Sequence, residues 1–226
     1  METEGKTKMK TVIIVLGIVV LVLAGTTYHL YEDKNELALQ INSLEQEKDA
    51  IAGKLEARIT EISRKKEDEI ARVTKVCDVL VRDMKKEVEQ GQVKITQLAD
   101  RLSVVMVDKV LFPSGDAEIT SEGVDILERV GKVLKDTQNR IIRVEGHTDN
   151  LPIRRRLQER FPTNWELSTA RATNVVRFLQ EKVGIEGRRL RAVGMSEYYP
   201  VASNETATGR SQNRRIEIAL LPEATE

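Results

Sequence analysis

The chain has 226 residues, with 36 basic and 36 acidic side chains that cancel to a formal net charge of zero. That balance lacks the basic excess expected of a nucleic-acid binder. A single cysteine, Cys77, excludes an internal disulfide, and 4% aromatic against 32% charged residues suits a long solvated helix joined to a modest core.

Residues 1–10 are polar and carry Lys6, Lys8 and Lys10. An apolar run follows over residues 11–31, about 31 Å long as a helix, which matches one hydrocarbon core. Tyr28 and Tyr31 fall where an interfacial aromatic belt lies, and Glu32 and Asp33 follow. Lysines before the run and acids after it predict a cytoplasmic tail, a single-pass inner-membrane anchor, and export of the rest. The alternative is a cleaved signal peptide, with Val22-Leu23-Ala24 as its cleavage site. Leu23-Ala24-Gly25 also resembles a lipoprotein signal, but Thr26 stands where the lipidated cysteine is required.

Residues 32–90 are rich in charge and free of proline. Apolar residues recur at spacings of three, four or seven: Leu37, Ile41, Leu44, Ile51, Leu55, then Ile70, Val73, Cys77, Leu80 and Met84. A period of 3.5 predicts a coiled-coil spacer, about 90 Å long, and a parallel homodimer. A lone amphipathic helix is the other reading. The register stumbles between Ile59 and Lys66, as a stutter does. Cys77 lies on this seam, as a small core residue or as an intermolecular disulfide.

After Gly91 the period changes. Residues 93–112 read as alternating strands with a turn near Ala99-Asp100. Thr120 or Ser121 caps a helix whose apolar face is Val124, Leu127, Val130 and Leu134. Strands follow at residues 140–145, 190–193 and 215–220, and a helix at 167–183 with Ala170, Val175, Phe178 and Leu179 inward. This order predicts an α+β domain over residues 92–222, of βαβαβ type, with helices packed on one mixed sheet. The two histidines, His29 and His147, form no evident catalytic or metal constellation with the lone cysteine, so no enzyme, cofactor or metal is expected. Trp165 is expected in the core or as a lid, and Arg154, Arg155, Arg156 and Arg160 on a solvated loop or against an anionic polymer or lipid headgroups.

Four segments carry a family resemblance: VLFPSGDAEI at residues 110–119, GHTDN at 146–150, NWELSTARA at 164–172 and GRSQNRRIEI at 209–218. Together they resemble the OmpA/MotB-type peptidoglycan-binding domain, and the NWELS wording leans toward its MotB-like members. The resemblance implies binding to the diaminopimelate of uncrosslinked stem peptides. Asp149 then takes the ammonium and Arg171 the carboxylate, for which its planar fork is suited. Thr148, Asn164, Leu167 and Ser168 are expected to shape the pocket, and Arg214 to add a second cation. A MotB-like stator subunit is one alternative, although residues 11–31 hold no aspartate or glutamate for an ion path. A scaffold of a secretion or division complex is another.

Overall fold

In the computed structural model, residues 2–137 and 139–223 are described, with side chains from Ile14 onward. The tail lysines Lys6, Lys8 and Lys10 and residues 11–13 thus lie outside the described side chains. The chain divides into two compact units, residues 1–63 and 64–226. Helix α1 is Glu2–Asp83.

The described residues of the first unit are all helical, and its segment from Ile14 is long and apolar enough to cross a membrane. Its stripe of Leu37, Ile41, Leu44, Ile51 and Leu55 is exposed.

The second unit begins at Arg64, inside the stumble in the heptads. Here the expected spacer, residues 32–90, needs revision. Val73, Leu80 and Met84 are buried in the core of the α+β domain, with Val76 and Cys77 packed against it. The lower half of the apolar stripe therefore has a partner within its own chain. Polar contacts fix the same helix segment. Arg140, itself buried, pairs with Glu69, and Arg129 donates to the Asp83 carbonyl at 2.9 Å. The helical stretch breaks at Met84, and a short helix α2, Lys85–Glu89, ends at Gly91, whose φ of +67° is a left-handed stop.

A hairpin opens the sheet. Strands β1, Val93–Leu98, and β2, Arg101–Val107, turn through Ala99 at φ +52°. The strand expected to continue to Phe112 stops at Val107, and Asp108–Leu111 forms a short helix, α3. Helix α4, Ser121–Lys135, is capped by Thr120, whose hydroxyl accepts from the Gly123 N–H at 2.9 Å. Ile126, Leu127, Val130 and Leu134 are its large buried side chains, while Val124 is only half-buried.

Strand β3, Arg140–His147, leads to helix α5, Asn164–Phe178. That helix starts before Leu167 because Thr163 and Glu166 form a capping box, and it closes with one π turn, Leu179–Val183. Strand β4, Leu190–Ser196, helix α6, Ala207–Asn213, and strand β5, Arg215–Pro222, complete the unit. The sheet order is β1-β2-β5-β3-β4, with β3 and β4 parallel and the other neighbours antiparallel. The mixed sheet matches the expected architecture.

Candidate functional site

A cavity of about 450 Å³ opens where β3, α3, the start of α5 and the end of α6 meet. Four of its charged lining residues come from places distant in sequence. Asp149 follows β3, Asp108 starts α3, Arg171 lies on α5, and Arg214 follows α6.

Asp149 is 6% exposed. Its Oδ1 accepts from the Leu151 N–H at 3.1 Å, a local turn that fixes the carboxylate. Its Oδ2 pairs closely with the Arg214 guanidinium. Asn164, first residue of α5, holds the loop in place. Its Nδ2 donates to the carbonyls of Asp149 and Leu151, at 3.3 and 3.1 Å, and to Glu197 Oε2 at 2.6 Å.

Arg171 is 2% exposed and is the most buried charge of the site. Its Nε donates to the Asp116 carbonyl at 2.8 Å, and its guanidinium lies over the Phe112 ring at 5.1 Å. Its Nη1 is 2.8 Å from Asp108 Oδ1, an ion pair without hydrogen-bond alignment. Burial lowers the pKa of this arginine, with Asp108 opposing the shift, and a guanidinium nonetheless stays charged. Burial pushes the Asp108 carboxyl up to about 6, although Arg171 and Arg214 pull the other way. The Asp108 N–H donates to the Arg214 carbonyl at 3.1 Å, so the two ion pairs share a backbone link.

The structure brings Asp149, Arg171, Thr148, Asn164, Leu167 and Arg214 to one cavity. Thr148 is buried, and its hydroxyl has no hydrogen-bond partner among the described residues. Leu167 packs with Ala117 and Phe161 in a small second core beside the cavity. Ser168 is not in the lining. Its hydroxyl donates to the Trp165 carbonyl and accepts from the Ser196 N–H, at 3.0 and 3.1 Å, which ties α5 to β4. Asp108 was hidden in a run read as strand; the one available signal was its charge inside VMVDKVLF, where the alternation breaks.

Trp165 is neither core nor lid. It is 46% exposed and stacks on Tyr198 with ring centroids 5.5 Å apart. Contrary to the sequence reading, a set of metal-capable groups does come together: Glu145, His147 and Glu217 on adjacent strands β3 and β5, with ligand atoms within 4.8 Å. Protein partners already hold its carboxylates. Glu145 pairs with Arg143 at 2.6 Å and lies 3.4 Å from His147 Nε2, and Glu217 accepts from the Ser103 hydroxyl at 2.7 Å. The adjacent His147 ring and the Arg143 guanidinium hold the Glu145 carboxyl below the usual range, against its burial.

Residues 111–214 match the OmpA family. Motility protein B of Bacillus subtilis is 36% identical over 156 residues, which are 69% of this chain and 58% of the relative. The cell wall anchor of the T6SS from Pseudomonas aeruginosa superposes with a TM-score of 0.58 at 35% identity, covering 64% of this chain and 97% of that one. The periplasmic domain of Helicobacter pylori MotB superposes at 0.52 with 25% identity, covering 58% and 80%. The chain spans about three-fifths of the length of the first curated relatives it matches.

Proposed function

The chain belongs to the OmpA/MotB-type family, and from that premise we propose that it tethers a membrane to the cell wall by gripping peptidoglycan non-covalently. The observation that carries this reading is one cavity lined by two acid–arginine pairs, Asp149–Arg214 and Asp108–Arg171. The diaminopimelate of an uncrosslinked stem peptide ends in an ammonium and a carboxylate on one carbon. Such a zwitterion needs an anion and a cation a few ångströms apart. It binds by exchanging partners with an existing ion pair, so no charge is left buried alone. Asp149 takes the ammonium. Arg171, held rigid by Asp108 and the Asp116 carbonyl, supplies the fixed cation for the carboxylate. Arg214, released from Asp149, adds the second.

The apolar segment after Ile14 anchors the chain in the inner membrane by a single pass, with the tail cytoplasmic and the second unit periplasmic. The exposed stripe from Leu37 to Leu55 pairs two copies as a parallel coiled coil. The likeness to a T6SS cell wall anchor supports the tethering role. The likeness to Motility protein B favours a second reading, a stator subunit, against which stands an apolar run without a carboxylate.

Co-sedimentation of the detergent-solubilised full chain with purified sacculi tests the proposal. Wild type is expected in the pellet. Asp149→Asn, which keeps the side-chain shape, is expected to lose about tenfold or more in affinity while its circular dichroism is unchanged. Wild type left in the supernatant sinks the reading.

A further inference from the structure

The charges facing the cavity do not balance. Lys109, Arg154, Arg156, Arg171 and Arg214 line it, against Asp108 and Asp149 alone. Both carboxylates are already matched, by Arg171 and Arg214. Lys109, Arg154 and Arg156 make no ion pair among the described residues. These three are exposed, so they stand free to meet further carboxylates of a ligand seated in the cavity.

The arginines sit on a built turn. Arg155–Leu157 is one 3-10 turn, in which the Leu157 N–H donates to the Arg154 carbonyl and the Phe161 N–H to the Leu157 carbonyl, each at 2.8 Å. The Leu157 side chain rests on Gly115 so closely that a Cβ there would come within 2.4 Å of it. Phe161 is buried beside Ala117 and Leu167. Within the run, Arg154 and Arg156 line the cavity while Arg155 does not, and Arg160 turns to Asp116 at 2.9 Å.

We infer that Lys109, Arg154 and Arg156 select a peptide that carries free carboxylates beside its zwitterionic end, and discriminate against the same peptide when such a carboxylate is amidated. This rests on the stem-peptide reading above and names which stem peptides the site takes. In chemical terms, the preferred ligand keeps the α-carboxylate of the D-glutamate that precedes diaminopimelate. A carboxamide there offers the arginines no charge, and its NH2 replaces one of the two acceptor oxygens with a donor.

Isothermal titration of the detergent-solubilised full chain provides the test, with three ligands: free meso-diaminopimelate, L-Ala-γ-D-Glu-meso-diaminopimelate, and that tripeptide with the glutamate carboxylate as carboxamide. Wild type is expected to bind the acid tripeptide about fivefold or more tightly than the amide, with the gap narrowing at high salt. In the double variant Arg154→Gln/Arg156→Gln the two tripeptides are expected to bind alike. Equal affinities in wild type, or a preference that survives in the double variant, overturn the inference. If none of the three ligands binds wild type, the stem-peptide reading fails and this one falls with it. Binding of both tripeptides without preference fells this inference alone.

Discussion

A carboxylate placed beside a buried arginine gains an ion pair and loses its water, and at Asp108 the loss of water wins. The carboxyl, pushed up to about 6, holds its proton in the folded state at a pH where the unfolded chain has released it. The stability it contributes is therefore complete below the ordinary aspartate value of about 4 and is lost as pH rises through about 6. Urea unfolding followed by the fluorescence of Trp165, the only tryptophan, is expected to show this slope between pH 4 and 6. Asp108→Asn should flatten it by on the order of 3 kcal/mol across the window. An unchanged slope would mean that Asp108 is hydrated. Of the residues lining the cavity, Asp149 and Arg171 were legible because each stands in a motif that carries the family resemblance. Asp108 stood in no recognised site motif, and its role arises from Arg171, far along the chain.

At the level of elements, the placement of Arg171 depends on how closely α5 lies on the sheet. A Cβ at Gly146 would stand 2.2 Å from the Ser168 carbonyl oxygen, and one at Gly194 would stand 2.9 Å from the Thr169 nitrogen. Both contacts are with backbone, which cannot step aside. Gly146→Ala is expected to destabilise the second unit by about 1–3 kcal/mol and to weaken sacculus binding by shifting α5. Gly53→Ala, with nothing within 4 Å on an exposed helix, is the neutral or stabilising control. Leu80, fully buried, and Leu44, exposed, occupy the same helical stripe. Leu80→Ala should cost about 2–5 kcal/mol in unfolding of the second unit, and Leu44→Ala almost nothing. Equal effects in thermal melts would contradict the boundary at Arg64.

For the whole molecule, the two compact units imply different partners for one stripe. Cys77 is half-buried against the core, and burial pushes its thiol pKa up, so little of the reactive thiolate forms. Wild type is accordingly expected to run as a monomer on a non-reducing gel. Leu44→Cys in a Cys77→Ser background should give a disulfide dimer in membranes if the first unit pairs in parallel. A monomer band for that variant under mild oxidation would rule out the homodimer.

Local pattern alone determined the apolar segment near the N-terminus, the helical stretch with its stripe, the change of period at Gly91 and the order of strands and helices after it. Each of these follows from spacing between near neighbours, which sets conformation and the face that must be buried. Asp149, Arg171 and Arg214 were singled out by the family resemblance of their motifs and not by local pattern. Tertiary structure decided which surface buries each face. A heptad stripe states that Leu80 and Met84 need apolar company, and only the folded sheet and α4 provide it within the same chain. The same holds for charge. Which acid faces Arg171, and that Arg154 and Arg156 turn to the cavity while Arg155 does not, are set by packing between segments far apart in sequence.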